Sequence, residues 1–196
     1  MKSQSLLAHL LGRLEKSVLL DNIVVGTAEG NGEIEDEVEG LGFDCIVPDR
    51  DEDDVLGRYL DIAKSYEADV IVRITGDCPL IDADIVDNTV NILGAYDMAT
   101  NVWPRTYPQG LDVEVMPYYT LERLDSMLEE GHPDREHVCV HVYENPLFDI
   151  VSLVEEDNNS HLRWCVDDEV DFDIVADILR KCGDLSYREI LRCITN

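Results

Sequence analysis

Apolar positions along the chain follow two periods. Leu6, Leu7, Leu10, Leu11 and Leu14 repeat at helical spacing and predict an amphipathic first helix facing a core. A short apolar run over 23–25 predicts a strand, and "NGEIEDEVEGLG" an acidic helix closed by Gly40 or Gly42. "FDCIVPD" reads as a second strand stopped by Pro48. "DRDEDDVLGRYLDIAKSYEA" reads as a helix with acids in its first turn, where the macrodipole favours them. "DVIVRIT" predicts a third strand, followed by a helix over 82–94 and a strand near 96–101. Strands alternating with helices of this length imply a mostly parallel sheet covered on both faces.

Beyond residue 102 the pattern changes. "VWPRTYPQGLDVEVMP" is a Pro- and aromatic-rich loop running into a strand, with Leu111, Val113 and Val115 on one side and Asp112 and Glu114 on the other. A helix over 118–130 follows, and "PDREHVCVHVYEN" reads as another. A strand over 148–154, a strand-like Trp164–Cys165–Val166 and helices over 168–182 and 186–194 complete the chain. No repeat or linker interrupts it, so one domain is expected.

Composition narrows the partners. Asp and Glu number 43 against 15 Lys and Arg in 196 residues, a net charge of −28. Such a field repels nucleic acid and anionic membranes. Four Lys against eleven Arg on an acid-rich chain suit solubility at high salt, although an ordinary acidic cytoplasmic protein fits too. No apolar run is long enough to span a bilayer. The six cysteines show no C-x-x-C spacing and sit among apolar neighbours, which predicts reduced thiols in a reducing compartment, with neither a disulfide framework nor a zinc site.

Candidate chemistry concentrates at strand ends. Asp77 follows the third strand, at the rim where open parallel sheets bind ligands. It can hold a divalent cation on phosphate oxygens, or it can simply close a turn ahead of Pro79. A second carboxylate is needed for a metal, and Asp167 is the candidate, the alternative being that Asp167 or Asp168 merely caps the helix that follows. Arg73, inside a core strand, needs an anionic partner, either structural or at a site. His137 and His141 are four apart, but "HVCVH" lacks the Glu of H-E-x-x-H, so a polar helix start is favoured over zinc.

"VIVRITGDCPLID", "RTYPQGLDVEV", "REHV" and "HLRWCVDDEVDF", in this order, together with "EDDVLGRY", closely resemble the cytidylyltransferase-like proteins of spore-coat polysaccharide biosynthesis. These are relatives of the acylneuraminate and 3-deoxy-manno-octulosonate cytidylyltransferases. The resemblance implies a three-layer α/β fold of the glycosyltransferase-A type, with 1–101 as the nucleotide-binding half and 102–196 as the sugar-binding half. It implies Asp77 and Asp167 as paired catalytic Mg²⁺ ligands, with Arg73, Thr75 and Gly76 beside the nucleotide. Arg105, Tyr107, Gly110, Asp112, Glu114, Arg135, Glu136 and His137 would line the sugar side. The implied partners are CTP or a nucleotide sugar, a sugar substrate and, as an option, a second copy of the chain, in the cytoplasm.

The family opens with a strand and a Gly/Ser/Arg/Lys-rich loop of the form Q-A-R-x-x-S-x-R-L-P-x-K. Here "KSQSLLAHLLGRLEKS" already resembles its first helix, and Lys2 and Arg13 are the cations before Lys16. The expectation is therefore an N-terminally truncated member, through a late-assigned start or a true truncation, with no measurable CTP affinity of its own. The strands at 23–25 and 70–74 would then either stand apart or close the gap, on each other or with a borrowed strand. A glycosyltransferase of the same fold and a non-catalytic relative remain alternatives.

Overall fold

The computed structural model describes residues 4–195. The leucine stripe forms α1 (Leu6–Leu14), capped by the Ser5 hydroxyl accepting from the Ala8 N–H, with Leu10, Leu11 and Leu14 buried. Arg13 is buried with them and donates to the Leu185 carbonyl at 3.0 Å, so this cation serves packing; Lys2 lies outside the described residues. Then come β1 (Val24–Gly26), α2 (Gly32–Leu41) and β2 (Asp44–Ile46). Gly42 closes α2 at φ +88°, a left-handed conformation that glycine adopts without a Cβ penalty. Helix α3 (Val55–Ser65) starts later than expected. The run 49–53 stays outside it and its first turn holds no acid; Asp54 alone serves it, as a cap accepting from the Gly57 N–H at 3.1 Å.

The chain continues through β3 (Val70–Arg73), α4 (Ala83–Ile92), β4 (Met98–Thr100), β5 (Glu114–Pro117), α5 (Tyr118–Met127), α6 (Asp134–His137), α7 (Val140–Glu144), β6 (Ile150–Ser152), α8 (Glu169–Cys182) and α9 (Tyr187–Thr195). The strands form one sheet in the order β3-β5-β4-β6 and a separate parallel pair, β1-β2. In the larger sheet β3, β4 and β6 share one direction and β5 runs against both its neighbours. Two strands from beyond residue 102 thus complete the sheet begun before it. Among the described residues β1 pairs with β2 only and β3 with β5 only, so the strands at 24–26 and 70–73 stand unpaired with each other.

Strand alternation feeds two cores, which makes three layers. Val72, Ala99 and Val115 face a core completed by α1, α4, α8 and α9. Their neighbours Ile71, Met98 and Met116 face a second one built with α3, α5 and α7.

Three local expectations are corrected. The helix expected over "PDREHVCVHVYEN" is split into α6 and α7 by Val138, whose backbone is left-handed at φ +55°. Val138 and Cys139 are both buried in the second core, and that packing overrides the reluctance of a β-branched residue to adopt this conformation. Residues 164–166 form no strand, and Cys165 lies in a bend. Their amides bond to loops: Trp164 N–H to the Gln109 carbonyl at 2.7 Å, and Val166 N–H to the Asp77 carbonyl at 2.9 Å. Finally, Cys182 and Cys193 form a disulfide, with Cα atoms 6.1 Å apart, where reduced thiols were expected; Cys45, Cys78, Cys139 and Cys165 are free. The two partners sit on different helices, α8 and α9, so their spacing in sequence carries no metal-like or redox-motif signature. Among the described residues no helix is long and apolar enough to cross a membrane.

Candidate functional site

Asp77 sits on the loop that leaves β3, in a tight turn where the Cys78 N–H bonds to the Thr75 carbonyl at 3.3 Å. Among the described residues no backbone N–H donates to its carboxylate; its one side-chain hydrogen-bond partner is the Cys78 thiol, which donates to Oδ1 at 3.5 Å. Asp167 is likewise free of capping. Asp168, the next residue, caps α8 by accepting from the Val170 and Asp171 N–H groups at 2.8 and 2.9 Å. The Val166-to-Asp77 backbone bond ties the two loops together. As a result one oxygen of each carboxylate and the Cys165 sulfur all lie within 4.8 Å of one another.

The floor of this site is built by close packing. Gly110 has φ +100°, and a Cβ there would meet the Cys165 nitrogen at 2.3 Å and the Trp164 carbonyl carbon at 2.4 Å. Only glycine lets the 103–112 loop lie so near the backbone that carries Cys165 and Asp167. Tyr107, also on that loop, is buried against Tyr187 with ring centroids 5.5 Å apart.

Two residues that sequence reasoning passed over complete the site. Arg163 grips Asp171 through Nε at 2.9 and 3.0 Å and also pairs with Asp167. Its hydrogen bonds hold the Asp171 carboxyl below the usual range. Burial pushes the Cys165 thiol up to about 11; Arg163 pulls against this, while Asp167 and Asp77 add to it. The strand-like reading of this segment carried the signal, since alternate residues 163, 165 and 167 would then share one side.

The other candidates divide by position. Arg105 and Asp112 form a two-pronged pair at 2.5 and 2.7 Å, partly open to solvent. Gly76 is exposed with open space where a Cβ would stand, and the Thr75 hydroxyl lies 3.3 Å from the Cys78 sulfur. Arg73 faces Glu114 across the β3–β5 register and bonds to it at 2.6 Å; Tyr143 donates to the other Glu114 oxygen at 2.5 Å. Arg135 is buried as a clamp, bonding to Asp54 at 2.8 Å, Asp125 at 2.9 Å and the Leu128 carbonyl at 2.9 Å, so its guanidinium joins α3, α5 and α6. Glu136 and His137 are exposed on α6. A concavity of about 400 Å³ lined by Lys64, Asp69 and Tyr118 opens at the other end of β3, away from all the site carboxylates.

A cytidylyltransferase family profile matches residues 1–147. The spore coat polysaccharide biosynthesis protein SpsF of Bacillus subtilis is 25% identical over 200 residues, covering 96% of this chain and 82% of that protein. A solved cytidylyltransferase from Leptospira borgpetersenii superposes with a TM-score of 0.89 at 32% identity, over 98% of this chain and 84% of that one. A more distant fold likeness, at TM-score 0.71 and 14% identity, joins 92% of this chain to 89% of a CMP:2-keto-3-deoxy-manno-octonic acid synthetase solved with CTP. With three-quarters of its length matched by the profile, the chain belongs to the cytidylyltransferase family.

Proposed function

We propose that this chain transfers CMP from CTP to an acidic or modified sugar destined for surface polysaccharide, with Asp77 and Asp167 holding Mg²⁺. The observation that carries this reading is the convergence of two uncapped carboxylates from distant loops on one rim. The donor set fits a hard divalent cation, since one carboxylate is half-buried and the other open to solvent, where phosphate oxygens can complete the shell. A cation there supplies charge neutralisation on the phosphates and the departing pyrophosphate.

The chain's own residues position the partners. Thr75 and Gly76 present an open backbone to the nucleotide. Arg105 exchanges Asp112 for the carboxylate of an acidic sugar, and Asp112 then accepts from sugar hydroxyls; Glu136 and His137 are exposed for the same side. Arg73, Tyr107, Gly110, Glu114 and Arg135 act through packing and hydrogen bonds rather than by contact. Cytoplasmic placement follows from CTP as substrate, since the Cys182–Cys193 bridge removes the argument from reduced cysteines.

One observation favours the non-catalytic alternative. The four site arginines are already paired, Arg73 with Glu114, Arg105 with Asp112, Arg135 with Asp54 and Asp125, and Arg163 with Asp167 and Asp171, which leaves little positive charge for a triphosphate. Calorimetry with Mg²⁺ present is expected to show CTP binding, and an acidic sugar acceptor is expected to trigger pyrophosphate release. Asp77→Asn should abolish release and leave the melting temperature unchanged. A wild type that binds no CTP would establish the non-catalytic reading, and use of a nucleotide sugar without pyrophosphate release would mark a glycosyltransferase.

A further inference from the structure

The Cys165 thiol is part of the Asp77–Asp167 cluster, with all three donor atoms within 4.8 Å of one another. Donors on one tetrahedral cation, at about 2.0–2.2 Å for oxygen and about 2.3 Å for sulfur, stand about 3.3–3.7 Å apart. Side-chain shifts of about 1 Å therefore bring the three into a single shell. Their convergence is fixed by the fold. The Val166–Asp77 backbone bond of 2.9 Å locks the two loops, and Gly110 seats against the Cys165 amide. Cys165 is 2% exposed and forms the inner wall, while Asp167 forms the outer one. Cys78 lies near Asp77 but outside this cluster.

We infer that Cys165 is a third donor at the Asp77–Asp167 centre, so that thiophilic divalent cations such as Co²⁺, Zn²⁺ and Cd²⁺ bind there in competition with Mg²⁺. This rests on the reading that the two aspartates share a metal. Hard Mg²⁺ uses the carboxylates and leaves the thiol protonated. A softer cation forms a sulfur–metal bond as the Cys165 proton leaves to solvent. Arg163 does not lose its place when Asp167 turns to the cation, because its Nε contacts to Asp171 at 2.9 and 3.0 Å remain. The site is then regulated by the cation that fills it, with thiophilic ions excluding the Mg²⁺ that works on phosphates.

The test titrates the metal-free protein with Co²⁺, reading thiolate-to-cobalt charge transfer in the near ultraviolet, and with Mn²⁺, reading free ion by electron paramagnetic resonance. The wild type is expected to show the cobalt band. Cys165→Ser should lose that band yet bind Mn²⁺ as before, and Cys78→Ser should keep it. A band that survives Cys165→Ser, or vanishes in Cys78→Ser, overturns the inference. Mn²⁺ binding that Asp167→Asn abolishes, in a wild type without a cobalt band, overturns the inference alone. Mn²⁺ binding indifferent to Asp167→Asn overturns the shared-metal reading and the inference together. If Cys165→Ser does not fold, cadmium NMR of the wild type decides: a sulfur-shifted resonance supports the inference, and an oxygen-only position sinks it.

Discussion

Gly110 shows how one residue can decide whether a site exists. Its backbone at φ +100° lies in the left-handed region, and the Cys165 nitrogen would be 2.3 Å from any added Cβ. Gly110→Ala should therefore cost about 2–4 kcal/mol in chemical denaturation, combining backbone strain with an overlap that no rotamer can relieve. The same change should weaken Mn²⁺ binding at Asp77 and Asp167, because the 103–112 loop and the 163–167 segment must separate. A variant as stable as the wild type would show that the close approach is not needed. The resemblance implied Gly110 among sugar-side residues; in the structure Gly110 packs against the backbone of Trp164 and Cys165.

At the scale of elements, caps do more than end helices. Asp82 is buried and accepts from the Asp84 and Ile85 N–H groups at 3.0 and 3.3 Å, and also from the Tyr187 N–H at 2.6 Å at the start of α9. Asp168 is exposed and caps α8 alone. Asp82→Ala should therefore destabilise by about 2–3 kcal/mol, since it leaves a buried N–H without a partner, whereas Asp168→Ala should cost about 1 kcal/mol. Equal losses in urea titrations would refute the dual role of Asp82. Both residues stand in front of apolar-periodic runs, so the caps were readable; that one of them also holds the C-terminal helix was not. The break at Val138 was equally hidden, because no glycine, asparagine or proline marks it.

For the whole molecule, charge is the controlling quantity. With 43 acids against 15 Lys and Arg, self-repulsion opposes the compact state, and salt screens it. The melting temperature should rise from low to molar KCl. A flat or falling trend would remove the salt-adaptation reading and leave the family assignment untouched. Several ion pairs work against this repulsion, but most are solvent-exposed and contribute little individually. The buried Arg135 clamp, which joins three helices, and the Arg73–Glu114 pair inside the sheet are exceptions.

The sequence by itself determined what depends on neighbours along the chain. The leucine stripe made α1, the apolar runs made β1 to β3, and Asp82 and Asp168 marked helix starts, because period and capping are properties of a few consecutive residues. The motif order around Asp77 and Asp167 pointed to the family. Only the tertiary structure decided that β5 enters between β3 and β4 and pairs Arg73 with Glu114, that Cys182 meets Cys193, and that Arg163 and Cys165 join the two aspartates. Those outcomes depend on which distant segments share a hydrogen-bond edge or a core, and no local pattern encodes them: burial and backbone pairing are satisfied only when the whole chain has closed.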